Sequence, residues 1–287
     1  MFNLGPNIRL IVLNNKKSEI HGHRGCRGYF PENTIEGFIH ALRFDIEAIE
    51  LDVVVSKDHQ VLVSHEPYMH HKKCLWPNLQ PITKKEEAVL LIYQMSYKEI
   101  SAFDCGLLAH PDYPQLKTVK AYKPLLSEVI QTIELACYES KRKPIVYNIE
   151  IKSDALLIGK VQPDYEVYAR LVLNVIASFP IESRVIIQSF DKQLLNTIFK
   201  MNNLIPLSLL IEDAQDPFIH IEELGFKPSI LASHYIYLNA EQIAQLKAEK
   251  VKVFAFTVNE IKDIKKMLAW GVDAIITDYP DVAISCL

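Results

Sequence analysis

Ala48-Ile49-Glu50-Leu51-Asp52-Val53-Val54-Val55 is the stretch on which the fold turns. In a β-strand, residues two apart share a face, so Glu50 and Asp52 point one way and Leu51, Val53 and Val55 the other. Every flanking residue is apolar, which leaves a surface salt bridge poorly supported. Two acids aimed into a covered sheet are costly unless they are paired or bound to a metal. The alternation recurs at Tyr147-Asn148-Ile149-Glu150-Ile151-Lys152, with Asn148, Glu150 and Lys152 on one face and Ile149 and Ile151 on the other.

Working outward from 48–55, short β-branched runs alternate with longer helical patterns from residue 19 to the end. Strands are predicted at 19–23, 48–55 with 61–65, 144–151, 184–188, 205–211, 229–233, 251–258 and 273–277. Taking 48–65 as one strand region makes eight. Helices are predicted at 34–44, 125–140, 164–179, 191–202, 219–224, 240–250 and 260–269, with a brief last helix after Asp278. Asn33, Ser127 and Asn239 read as helix start signals, and Gly225 and Gly271 as left-handed stops. Strand–helix alternation implies an α/β chain with a parallel sheet, and eight strands are the number that closes into a (β/α)8 ring, the TIM barrel. Residues 66–123 break the rhythm, with Pro67, Pro77, Pro81, Pro111 and Pro114 and no long strand. They are expected to form an insertion after the second strand, with a helix around 97–103, packed over the mouth of the barrel. The expected organisation is an N-terminal extension over 1–18 and one barrel domain over 19–287.

Composition bounds the function. The chain has 287 residues, 49% apolar and 23% charged, which excludes disordered, collagen-like and disulfide-scaffold classes. The net charge of −4, with no basic stripe, gives no reason to expect a nucleic-acid partner. The five cysteines contain no Cys-x-x-Cys and are expected to be small core residues in a reducing compartment. The first apolar run, residues 8–13, is interrupted by Arg9, and a secretory core needs about 7–15 apolar residues and a spanning helix about 18. A cytoplasmic enzyme without a stable membrane anchor is expected.

The chemistry-bearing residues fall at strand C-terminal ends, where barrel active sites form. His23-Arg24-Gly25 ends the first strand, Pro31-Glu32-Asn33-Thr34 opens the first helix with Asn33 as its cap, and Val61-Leu62-Val63-Ser64-His65 ends on a histidine. Glu50, Asp52 and Glu150 make an oxygen-rich set suited to one hard divalent cation, Mg2+ or Ca2+. His23 and His65 are candidates for acid and base, and Arg24 and Lys152 supply fixed positive charge. Such a set suits reaction at a phosphate ester, whose developing charge lies on non-bridging oxygens.

In order along the chain, His23-Arg24-Gly25, Pro31-Glu32-Asn33-Thr34, Glu50-Leu51-Asp52-Val53, Ser64-His65-Glu66-Pro67, Asn148-Ile149-Glu150-Ile151-Lys152 and Gly271-Val272-Asp273-Ala274-Ile275-Ile276-Thr277-Asp278-Tyr279-Pro280 resemble the glycerophosphodiester phosphodiesterase family. The resemblance runs from about residue 19 to 283. It implies an eight-stranded barrel that cuts glycerophosphodiesters to glycerol 3-phosphate and an alcohol. It also implies a divalent cation on Glu50, Asp52 and Glu150, His23 and His65 as the acid–base pair, and Arg24 and Lys152 on the phosphate. Phe190 and Phe256 match positions where the family walls in the glycerol, the second often being Trp there. The chain departs from the family pattern at Glu66, usually Asp, at Lys57-Asp58-His59, usually Lys-Asp-Gly, and within Phe44-Asp45-Ile46, where a glycine is usual.

Two rival readings carry their own signatures. His21-Gly22-His23 with Asp278 and His234 would suit a two-metal hydrolase of the amidohydrolase type, and a barrel that binds a phosphodiester without cleaving it would suit the fold alone. His21 is otherwise a packing residue, Asp278 a loop-ordering one, and His70-His71-Lys72-Lys73 a solvated polar turn.

Overall fold

The computed structural model describes residues 18–287, so the expected extension, Ser18 apart, lies outside the described residues. The β-branched runs form strands β1 (Glu19–Gly22), β2 (Ala48–Val55), β3 (Val61–Val63), β4 (Val146–Ile151), β5 (Val185–Ser189), β6 (Leu207–Ile211), β7 (Ile230–His234), β8 (Lys252–Phe256) and β9 (Ala274–Thr277). Eight of them are parallel, in the order β1-β9-β8-β7-β6-β5-β4-β2, and β1 pairs with β2 to close the barrel. The exception is β3, which folds back antiparallel on β2 with Val53 opposite Val63. What reads in sequence as one strand region over 48–65 is therefore a hairpin. Its turn needs a left-handed residue, and His59 takes that role at φ 58° where the related family has glycine.

Helices α1 (Ile35–Ala41), α2 (Tyr97–Ile100), α3 (Leu126–Glu139), α4 (Tyr165–Ala177), α5 (Lys192–Met201), α6 (Pro217–Leu224), α7 (Ala240–Ala248), α8 (Ile261–Trp270) and α9 (Pro280–Ser285) complete the architecture. Gly225 and Gly271 end α6 and α8 at φ 81° and 78°, and Asn239 caps α7 by accepting from the Gln242 amide. Two start signals are corrected. Thr34, not Asn33, caps α1, and Leu125, whose amide is taken by Glu128, precedes α3 in place of Ser127.

Three apolar clusters divide the interior. The outward residues of the strands, Ile49, Leu51, Val53 and Val55 among them, pack against the helices in one continuous core. Inside the barrel, Ile186, Leu210, Ile230, Ala232, Phe254 and Ala274 fill the floor. A third cluster, with Met69, Cys74, Ile82, Ile92, Ile100 and Phe103, gives the segment 66–123 a core of its own against Val54 and Leu62.

That segment holds the main correction to the cysteine reading. Cys74 and Cys105 form a disulfide, with Cα atoms 4.0 Å apart, whereas Cys26 and Cys137 are buried free thiols and Cys286 is half-buried. Two cysteines separated by 31 residues were brought together by the insertion's path, which no spacing rule foretells. Among the described residues, no helix is long and apolar enough to cross a membrane.

Candidate active site

Register places the carboxylates. β2 and β4 run parallel with Glu50 beside Asn148 and Asp52 beside Glu150, so the inward faces of two neighbouring strands converge. Glu50, Asp52 and Glu150 are all buried and each offers an oxygen within 4.8 Å of the others'. Glu50 accepts from the Arg24 backbone amide and from Gln188 Nε2, both at 3.0 Å. Asp52 accepts from Asn33 Nδ2 at 2.8 Å, while Asn33 Oδ1 takes the Asp52 amide at 3.2 Å. Asn33 thus clamps a site carboxylate, and its φ of 57° turns it away from the cap role read in the sequence.

Crowding three acids has an electrostatic consequence. Burial, then Asp52 and Glu150, push the Glu50 carboxyl well above its ordinary value. Burial raises Glu150 as well, with Lys152 opposing. Asp52 goes the other way, because Arg24, His65 and Lys152 outweigh its burial. Asp52 Oδ1 is buried without a hydrogen-bond partner. A buried, unsatisfied oxygen beside two acids that resist ionisation is the condition a divalent cation relieves, and the all-oxygen donor set suits a hard ion. The trio can therefore hold one.

Each candidate histidine has a carboxylate on Nδ1. His23 Nδ1 lies 2.6 Å from Asp278 Oδ1, which leaves Nε2 facing the site, 3.9 Å from Glu50 Oε2. Asp278 is itself gripped by two Arg27 bonds of 2.9 Å and by Asn259 Nδ2 at 2.8 Å. Although burial raises Asp278, His23 and Arg27 hold it well below the usual carboxylate range. Burial, then Arg27, pushes the His23 imidazole down to about 4 against the pull of Asp278, so the ring is neutral near pH 7. His65 Nδ1 lies 3.0 Å from Glu66 Oε1, and its side chain is 32% exposed. From the insertion, Lys73 Nζ reaches Glu66 and Glu32, each at 2.6 Å, and Glu32 in turn meets Arg24 at 3.2 Å. One lysine therefore links the carboxylate behind His65 to the one behind Arg24.

All the site residues expected from sequence converge on the barrel mouth, though not always with the expected contacts. Arg24 and Lys152 face carboxylates: Arg24 Nε is 3.1 Å from Asp52 and Lys152 Nζ 2.6 Å from Glu150. Phe190 and Phe256 meet edge-on at 6.1 Å, and Lys152 Nζ stands 5.9 Å from the Phe190 ring centre. A cavity of about 210 Å³ opens among His65, Pro67, Lys152, Ser153, Leu157 and Val161. The residues missed in the sequence are Asp278, Asn33, Lys73 and Gln188 in their supporting roles. Asp278 carried a signal, since a closed barrel sets the end of its last strand beside the first. Lys73 carried none.

The two-metal reading fails on the same geometry. His21 is buried inside the barrel, its ring edge-on to Phe254 at 5.0 Å, and Asp278 is committed to His23, Arg27 and Asn259. Among the described residues, no metal-sized cluster includes His21, His23 or His234.

Comparison with known proteins agrees with this architecture. Residues 23–282 match the glycerophosphoryl diester phosphodiesterase family. The chain is 30% identical to the glycerophosphodiester phosphodiesterase of Bacillus altitudinis, over 93% of this chain and 97% of that one. It is 27% identical to the enzyme of that name from Caldanaerobacter subterraneus subsp. tengcongensis, over 94% and 97%. A solved structure from Silicibacter pomeroyi DSS-3, provisionally named a glycerophosphoryl diester phosphodiesterase, superposes with a TM-score of 0.83 at 26% identity, over 94% of this chain and 92% of that one. An Oleispira antarctica phosphodiesterase in complex with the product sn-glycerol-3-phosphate shares the fold with a TM-score of 0.74 at 23% identity, over 93% and 96%. With a closed parallel barrel, and carboxylates, histidines and cations gathered at its mouth, the chain belongs to the glycerophosphoryl diester phosphodiesterase family of hydrolases.

Proposed function

We propose that this chain hydrolyses glycerophosphodiesters to glycerol 3-phosphate and an alcohol, with one divalent cation, Mg2+ or Ca2+, on Glu50, Asp52 and Glu150. The carrying observation is that three buried carboxylates share their pocket with two histidines, each backed by a carboxylate. When bound, the cation supplies Lewis-acid charge for the phosphate's non-bridging oxygens. Arg24 and Lys152, which pair with Asp52 and Glu150 here, would be available to hold the phosphate once those carboxylates held a cation. The names of the two bacterial relatives and the product seen in the Oleispira protein support the same substrate class.

The proton path follows from the two rings. His23 is neutral and its Nδ1 is held by Asp278, so the Nε2 lone pair is available to take a proton from the attacking hydroxyl; where that is the substrate's glycerol 2-hydroxyl and not water, water opens the resulting cyclic phosphate in a second step, with His65 taking its proton and His23 returning one to the 2-oxygen. His65 lines the 210 Å³ cavity, where the head-group alcohol leaves, and it donates the proton that the departing oxygen needs as its bond to phosphorus breaks. Phe190 and Phe256 wall the glycerol. The catalytic unit is one domain over 19–287 with 66–123 as its insertion. In a reducing cytoplasm Cys74 and Cys105 are expected as thiols in place of the disulfide, which thiol counting on protein alkylated at lysis checks.

The test is release of glycerol 3-phosphate from glycerophosphocholine after chelation and then with Mg2+ or Ca2+ restored. Release that stops on chelation and returns with one cation is expected. Release that persists through chelation would remove the cation from the reaction. No release from glycerophosphocholine, glycerophosphoinositol or glycerophosphoethanolamine under any cation would sink the hydrolase reading.

A further inference from the structure

We propose that His70, His71 and Glu87 form a second cation site, within the insertion and separate from the carboxylate trio, suited to a borderline transition-metal ion such as Zn2+. This stands independently of the phosphodiesterase reading. The three residues each offer one ligand atom, all within 4.8 Å of one another and all half-buried. His71 Nδ1 is 2.5 Å and His70 Nε2 3.7 Å from the same oxygen, Glu87 Oε1.

The backbone has already brought the donors together. The His71 amide donates to Glu87 Oε1 at 2.9 Å, and the Met69 amide donates to the Leu90 carbonyl at 3.0 Å. The amides of Lys73 and Cys74 both return to the His70 carbonyl, which closes a turn that presents the two rings side by side. The His70 ring is stacked against Tyr68 on one side and His71 on the other, at 5.9 and 4.9 Å. A site whose donors are ordered in advance loses little entropy on binding.

Donor chemistry selects the ion. Two imidazole nitrogens and one carboxylate oxygen suit zinc and its neighbours, whereas Mg2+ and Ca2+ favour oxygen sets such as the trio at the barrel mouth. Ligand atoms about 2.0–2.1 Å from a tetrahedral zinc lie roughly 3.3 Å apart, so the His71–Glu87 contact has to open by less than an ångström. The His71 ring proton, shared with Glu87 at Nδ1, moves through solvent to Nε2, which leaves the Nδ1 lone pair free for the ion. The His70 ring proton moves to Nδ1, which gives up an exposed 3.1 Å contact with the Lys72 amide that water replaces. Water fills the fourth position. Loaded, the site clips the turn that carries Lys73 and Cys74 to the helical turn at Glu86–Ala88.

The test uses the full chain, stripped of metal and titrated with Zn2+ against a chromophoric zinc chelator. Glu150→Gln weakens the carboxylate site, and this variant is expected to keep one tight equivalent of zinc. Adding His71→Ala or Glu87→Gln should weaken that equivalent at least 100-fold, with circular dichroism and the melting midpoint recording that each variant folds. Wild-type protein saturated with Mg2+ repeats the comparison without substitution at the mouth. Zinc affinity unchanged by either insertion substitution, or no zinc bound beyond the carboxylate site, would overturn the proposal.

Discussion

At the scale of single residues, each group proposed to react has a partner that holds it, Asp278 on His23 and Glu66 on His65. Replacing His23 or His65 by Ala should lower turnover by roughly 10²–10⁴ while circular dichroism shows that each variant stays folded. Near-normal turnover with both replaced would remove them from the reaction. Asn33→Ala frees Asp52 and should weaken cation affinity by about 10–100-fold, read by calorimetric titration with Mg2+ or Ca2+. His23 also sets a pH dependence of stability. Its value falls from 6.5 unfolded to about 4 folded, so between those limits the unfolded chain binds a proton that the folded chain does not. Stability therefore drops as pH falls through that window, by on the order of 3 kcal/mol at the lower end. Urea melts of cation-free protein at pH 7 and 4.5 measure the drop, and His23→Gln should shrink it.

At the scale of elements, the turns around the site set what the chain tolerates. Gly22 ends β1 where an added Cβ would stand 2.2 Å from the Gly25 carbonyl oxygen, so the backbone itself would have to move. Gly22→Ala should cost about 1–3 kcal/mol, seen as a lowered denaturation midpoint. His59 in the β2–β3 turn is the opposite case, an L-residue held at φ 58°. Relief of about 1–2 kcal/mol of left-handed strain exceeds the chain entropy that glycine adds to the unfolded state, so His59→Gly should stabilise by roughly 0.5–1 kcal/mol. The periodic segments were legible because residues such as Ile49 and Leu51 must face helices on one side of a sheet. The β2–β3 reversal was not, because 61–65 reads equally well as strand in either direction.

At the scale of the whole molecule, the insertion is a small packed body joined to the barrel mouth through Lys73 and Tyr113, the latter 3.3 Å from Asp278. Its disulfide closes a loop over a sequence separation of 31, and reducing it should lower stability by about 2–4 kcal/mol, measured as melts with and without dithiothreitol. The same melts with and without Mg2+ or Ca2+ test the carboxylate trio, since an ion that binds only the folded chain raises the midpoint. That rise should fade as pH falls, because Glu50 and Glu150, held above their ordinary values by burial, protonate and lose the ion.

Sequence by itself determined the barrel and nominated the carboxylate trio and the two histidines as candidates. The trio rests on the period of two along β2 and β4 and His23 on its place at the end of β1, whereas His65 reaches the mouth only because β3 folds back antiparallel on β2. Tertiary structure alone decided the supporting contacts. Asp278 reaches His23 only because β9 closes against β1, and Asn33 reaches Asp52 only because its backbone turns left-handed before α1. Lys73 and the Cys74–Cys105 bond depend on the path of a segment without periodicity. A repeating pattern encodes the direction of a side chain, whereas a contact between distant residues is encoded only in the closure that brings them together.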